Sequence, residues 1–229
     1  MRYAVGIARA EAPARTGLVG NPSDLFGGAL VGLAIDEMSA EVVAEPSLEV
    51  QLVAGGEQQS FESLAGLATA ARPAGPLALL WAAAKRYAVD RPEHGDARVE
   101  LRLERTTIPE GVGLAGSSAI VIAALRALGR LFGDEISDPD LPSAALAAER
   151  DELGIAAGLG DRVVQVYGGL VYLDLARVGG PRVEPLDARR IPDVYVAWRP
   201  DAPTHSGEVH RGMRERYAAG DPAAVETMR

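Results

Sequence analysis

The sequence predicts an α+β fold in which an antiparallel-rich sheet carries helices on one side. Three observations predict it. Strand-like stretches dominate the first hundred residues, the period turns helical over 118–132, and a second helical stretch follows over 142–153. With 229 residues, 48% of them hydrophobic and 24% charged, the chain has enough apolar material for a substantial core.

The elements are read in chain order. Residues 3–10 alternate loosely as a first strand, and 41–44 form a short β-branched one. Residues 48–54 alternate well and stop at Gly55 and Gly56, a turn pair. Residues 77–89 are rich in alanine and leucine and form a helix. The cleanest strand spans 98–105, with Val99, Leu101 and Leu103 on one face and charges on the other. The helix over 118–132 ends where Gly133 offers a C-terminal cap, and Pro142 suits the first turn of the next helix. After Gly168 and Gly169 the chain turns strand-like again at 170–175 and 194–198, and a last helix begins at 210–217. There is no internal repeat or low-complexity linker, and the expected division falls near residue 170.

Composition excludes several classes of function. The 32 acidic and 23 basic residues leave a net charge of −9, which argues against a nucleic-acid partner. Without cysteine there is no disulfide, thiolate nucleophile or cysteine-ligated metal, which fits a reducing compartment. His94, His205 and His210 are too scattered for a structural zinc site. The single lysine, Lys85, lies in A-A-A-K-R-Y, so no Walker A loop exists. The uncharged stretch 111–125 is too short and too polar to span a bilayer, no secretion signal is visible, and the expected location is the cytoplasm.

Three segments carry chemistry. The first is P-E-G-V-G-L-A-G-S-S-A over 109–119, a glycine-rich loop between the strong strand and the 118–132 helix. Gly111, Gly113 and Gly116 let backbone amides converge, and the helix N-terminus adds its free N–H groups, so the loop suits a phosphate. Ser117 and Ser118 can cap the helix or offer hydroxyls to phosphate or Mg²⁺. An ordinary capped strand-to-helix turn has the same outline. The second segment, A-R-T-G-L-V-G-N-P-S-D-L-F-G-G over 14–28, sets Arg15, Asn21, Ser23 and Asp24 among glycines and apolar residues. It reads as a ligand-binding loop or as a simple Asn-Pro-Ser-Asp turn. The third runs from Glu149 to Gly169 and contains A-G-L-G-D-R, where Asp161 opens a helix, either as an N-cap or with a role in a site.

Together and in this order the segments resemble the GHMP kinases, the family of galacto-, homoserine, mevalonate and phosphomevalonate kinases. That family has an N-terminal substrate motif, P-x-x-x-G-L-G-S-S-A in the middle, and a later glycine-flanked Asp. Arg15, Gly20, Asp24, Gly27 and Gly28 match the sugar-kinase form of the first motif without a gap. G-L-A-G-S-S-A is one residue longer than the usual middle motif. That insertion, L-V-G-N-P-S-D and E-L-G-I-A-A-G-L-G-D-R-V-V-Q-V-Y-G-G-L-V-Y are similar to the glucuronokinases. The resemblance implies a ribosomal protein S5 domain 2-like ATP-binding domain over residues 1–169. It implies the start of a ferredoxin-like C-terminal domain over 170–229, since the chain stops before the family's third glycine-rich loop.

The resemblance further implies ATP-dependent phosphorylation of a sugar hydroxyl, with glucuronate giving the 1-phosphate. A heptose phosphate or arabinose kinase and a non-catalytic nucleotide- or sugar-binding protein are the alternatives. Gly111, Gly113, Leu114, Ala115, Gly116, Ser117 and Ser118 would bind ATP. Ser118 and Glu149 would hold Mg²⁺. Asp161 would take the hydroxyl proton, and Arg15 would stabilise the developing charge. Asn21, Ser23, Asp24 and Arg162 would bind the sugar, and Trp81 is a candidate wall for the adenine, although an aromatic in an alanine- and leucine-rich helix is more often core. The implied partners are ATP and a small sugar or sugar acid, with no nucleic acid or membrane, and a homodimer is allowed.

Overall fold

The computed structural model describes residues 3–177, 180–199, 212 and 215–227. Seven strands form one mixed sheet: β1 (Ala8–Val19), β2 (Ala29–Pro46), β3 (Val50–Ala54), β4 (Glu57–Phe61), β5 (Val99–Thr106), β6 (Leu170–Asp174) and β7 (Arg182–Leu186). The order is β4-β3-β5-β2-β6-β7, with β1 along the other edge of β2. Every pairing is antiparallel except β3 with β5. β2 is long enough to hold three neighbours. β1 runs along one edge, while β5 and β6 share the other, on residues 40–46 and 29–33.

The helices are α1 (Leu64–Thr69), α2 (Leu77–Asp90), α3 (Gly116–Phe132), α4 (Leu141–Ala147) and α5 (Gly160–Tyr167), and a short helix covers Pro222–Thr227. α3 is the central one. Its alanines Ala119, Ala123, Ala124 and Ala127 are fully buried, as are Ala12 and Ala14 of β1, with Ala8 and Ala10 nearly so. Alternate small residues on the strand let the helix approach closely, and Arg9 and Glu11 point to solvent. Larger side chains, Leu80, Tyr87, Ile122, Leu125 and Leu128, fill the space towards α2. A smaller cluster of Leu30, Ala34, Val163, Val164, Val171 and Leu173 seats α5 on β2 and β6. Gly133 caps α3 at φ 78°, as expected, and its N–H donates to Gly129 O.

Several sequence expectations need correction. The first strand begins at Ala8 and continues to Val19, through the first half of the segment read as a loop. Residues 41–44 are only the end of β2. β4 and α1 were not expected: β4 is polar and has little alternation, and α1 has six residues. The 142–153 helix is α4 followed by a π-helical turn over Ala148–Glu152. Residues 192–199 form no strand; Tyr195 is 89% exposed, so the apolar run that suggested a strand has no sheet to bury it. Residues 212 and 215–218 are helical, whereas His210, where that helix was expected to start, lies outside the described residues. Residue 170, where a division was expected, is the first residue of β6, which pairs with β2, and β7 pairs with β6. No helix among the described residues is long and apolar enough to cross a membrane.

Candidate active site

The three segments meet at the N-terminal ends of α3 and α5. Arg15 enters on β1 just after a register break at Pro13/Ala14, where β2 residues 36–38 have no β1 partner and the strand bends. Arg15 is 8% exposed. Its backbone N–H donates to Leu114 O, its Nη1 donates to Gly113 O at 2.9 Å, and its Nη2 is ion-paired with Asp161. One guanidinium therefore joins the glycine-rich loop to the carboxylate at the start of α5, as the resemblance requires. Arg15 Nε is buried without a hydrogen-bond partner.

Asp24 sits on a 3-10 turn over Ser23–Phe26 and reaches the same place. Its Oδ2 accepts from Gly160 N at 2.9 Å. Leu159, at the N-cap position of α5, offers no side-chain bond, so Asp24 caps the helix from elsewhere in the chain. The turn packs so closely that a Cβ on Gly158 would collide with Asp24 Oδ2. Burial pushes the Asp24 carboxyl above its usual range, and the Asp161 charge adds to this. The Gly160 amide, Arg15 and Arg162 pull the other way.

Glu149 lies on the π-helical turn and is completely buried, an unusual backbone that often marks a functional position. Arg162 Nε donates to its Oε2 at 2.8 Å and Nη2 pairs with the same oxygen, while Nη1 donates to Gly158 O. Ser117 Oγ donates to Glu149 Oε1 at 3.1 Å. Arg162 Nη1 also stands 3.6 Å from Asp161 Oδ2. The charged and polar groups thus form one chain: Ser117, Glu149, Arg162, Asp161, Arg15 and the loop carbonyl of Gly113.

Three expected assignments change in this geometry. Ser118 is 1% exposed and its hydroxyl donates to Gln165 Oε1 at 2.7 Å, so Ser117 is the serine beside Glu149. Arg162 is 3% exposed and taken up by Glu149 and Gly158, which leaves it no free edge for a sugar carboxylate. Ser23 Oγ bonds to Gly20 O and, at 2.6 Å, to Ala29 O, and so closes its own turn. Trp81 takes the core place expected of an aromatic in such a helix: it is 3% exposed on α2, with Lys85 Nζ 4.8 Å from its ring centroid. Asn21 is exposed next to the 3-10 turn.

The loop itself runs through Gly111 and Gly113, both at positive φ, with Leu114 buried as its anchor. Ala115 follows at φ 60° and is the N-cap of α3, so the helix begins at Gly116, two residues before the expected start. The free amides at that end, with the helix dipole behind them, can hold an anion. Ser117 Oγ and Glu149 Oε1 are neighbouring hard oxygen donors of the type a divalent cation takes, and Arg162 fixes the second carboxylate oxygen. Gln165 lies inside the stretch 152–172 that carries the resemblance but was given no role there; its place four residues after Asp161 puts both on one helix face.

Residues 78–169 match the family described as "GHMP kinases N terminal domain". Over 94% of its length the chain is 35% identical to Glucuronokinase 1 of Arabidopsis thaliana, and over 97% it is 34% identical to Probable glucuronokinase 2 of the same plant. It spans 63% and 65% of those two proteins. A crystal structure of a D-glycero-D-manno-heptose 1-phosphate kinase from Bacteroides thetaiotaomicron superposes with a TM-score of 0.68 at 23% identity, over 79% of this chain and 60% of that one. That likeness shows the fold. The matched residues hold the glycine-rich loop, Glu149, Asp161 and Arg162, so the part of the chain that carries most of the site matches the N-terminal domain of the GHMP kinases.

Proposed function

We propose that this protein is an ATP-dependent sugar kinase that phosphorylates glucuronate on its anomeric hydroxyl. The observation that carries the reading is Arg15, with one nitrogen on the loop carbonyl of Gly113 and another on Asp161. The similarity to two glucuronokinases supports the choice of sugar.

The reaction needs in-line positioning and neutralisation of charge on the transferred phosphoryl group. Amides at Gly116 and Ser117 hold the nucleotide phosphates at the α3 N-terminus. Asp161 accepts or orients the proton of the attacking sugar hydroxyl. Arg15 supplies positive charge between that carboxylate and the phosphoryl oxygens, and its unpaired Nε is a donor already desolvated for that task. Asp24 and Asn21 meet the sugar hydroxyls, Asp24 through the oxygen that does not cap α5. Ser117 and Glu149 would hold Mg²⁺ brought with ATP, which supplies further charge neutralisation.

The test is ADP release from ATP over a panel of glucuronate, galactose, arabinose and a heptose phosphate. Glucuronate is expected to turn over best. Asp161→Asn keeps size and hydrogen bonding but not the proton acceptor, so kcat should fall by about 10²–10⁴ with ATP affinity nearly unchanged. A variant that keeps most of kcat refutes the assignment of Asp161, and turnover of another sugar but not glucuronate refutes the substrate.

A further inference from the structure

Gln165 lies in the third segment with no role assigned to it, and its side chain touches three separate parts of the site. It sits on α5 one turn after Asp161 and is 1% exposed. Nε2 donates to Pro13 O at 2.8 Å and to Ala115 O at 3.0 Å, and Oε1 accepts from Ser118 Oγ at 2.7 Å. Both N–H groups and the carbonyl of one buried amide are therefore engaged. Ser118 Oγ also lies 3.1 Å from Ala115 O, but that carbonyl already accepts from Gln165 Nε2 and from Ala119 N at 3.1 Å, so the single Ser118 proton is given to the shorter contact, Gln165 Oε1.

The three contacts fall at consequential places. Ala115 is the one non-glycine residue at positive φ among the described residues, a turn that a Cβ resists. It sets the direction in which α3 starts. Pro13 immediately precedes the register break that delivers Arg15. Ser118 belongs to the first turn of α3. A core amide present only for stability would need just to be satisfied; this one spans the loop, the strand and the helix whose relative placement defines the site.

We infer that Gln165 is a positioning residue that locks the Ala115 turn and sets the α3 N-terminus against the Arg15–Asp161 pair. The ligand in this inference rests on the kinase reading above; the clamp does not. The test compares Gln165→Met, which keeps the length but removes every polar bond, with Val164→Ala, a buried neighbour whose side chain packs on Gly32 of β2, away from the loop. Binding of a non-hydrolysable ATP analogue is measured by calorimetry where both variants are fully folded, with Tm recorded for each. Both should lose Tm, but only Gln165→Met should weaken binding, by about tenfold, while Val164→Ala stays within about twofold. Ser118→Ala, which removes one bond of the clamp, serves if Gln165→Met does not fold, and should weaken binding by a few-fold. Unchanged binding in the clamp variant, or an equal loss in Val164→Ala, overturns the inference. If the unaltered protein binds no ATP analogue, the kinase reading fails, and hydrogen exchange then decides the clamp. The Ala119 amide, which donates to Ala115 O, should exchange at least about tenfold faster in Gln165→Met than in Val164→Ala, and equal rates overturn it.

Discussion

Removing the Arg162 guanidinium probes the most deeply buried charge in the site. The Arg162 and Glu149 side chains are 3% and 0% exposed, and two guanidinium nitrogens share Glu149 Oε2. Arg162→Met keeps most of the side-chain volume but leaves a buried carboxylate with only the Ser117 hydroxyl as partner. Breaking a buried pair from one side costs about 3–5 kcal/mol, because the remaining charge stays desolvated and uncompensated. At about 2–4 °C per kcal/mol for a chain of this size, Tm should fall by roughly 10 °C. The double variant Glu149→Leu/Arg162→Met removes both charges and should recover most of that loss, since an apolar pair carries no desolvation penalty. Thermal melts and urea titrations of the wild type, both single variants and the double variant give the coupling directly. A loss below about 1 kcal/mol in Arg162→Met would refute the buried pair. A double variant as unstable as the single one would show that packing, not the unpaired charge, was responsible.

Two further outcomes follow from the Asp24 cap. Gly160→Ala would drive a Cβ into Leu30 Cδ2 and to 2.9 Å from Asp24 Oδ2, an overpacking expected to cost about 1–3 kcal/mol by urea titration, whereas Gly6→Ala, with open space around it, should be neutral. The Asp24 carboxyl is raised in the folded state, so there it binds its proton more tightly than in the unfolded chain; stability should therefore decline as pH rises from the ordinary carboxylate range through the raised value. Asp24→Asn keeps an acceptor for Gly160 N and should flatten this part of the stability–pH profile, and an unchanged slope would refute burial as the cause.

The local features were legible because their causes are local. Alternation in 98–105, the alanine-rich period of α3 and the Gly133 cap each follow from side-chain spacing and φ preference. The motif residues Arg15, Asp24, Glu149 and Asp161 were all identified, and the structure brings them together. The partners of those residues were harder to read. Ser117 and Ser118 are adjacent with identical chemistry, and only the direction set by the Ala115 turn sends Ser118 inward to Gln165 and Ser117 to Glu149. Arg162 was expected on the sugar because an arginine beside an aspartate in a glycine-rich segment gives no sign of being buried.

The chain order of residues settles which groups are available: a glycine-rich loop, two arginines and three acids among the motif residues, with no thiol and no lysine in a nucleotide motif. Periodicity settles which segments are strands and helices wherever they are long and amphipathic. Tertiary structure decides which charge faces which. Arg15 meets a loop 98 residues away, Asp24 caps a helix 136 residues away, and Gln165 reaches Pro13 across 152. Spacing carries information over a few turns or a strand, whereas these contacts depend on how β1 bends at its register break and how closely α3 and α5 pack on the sheet. Burial then separates residues of like type, since a desolvated charge must find a partner and an exposed one need not.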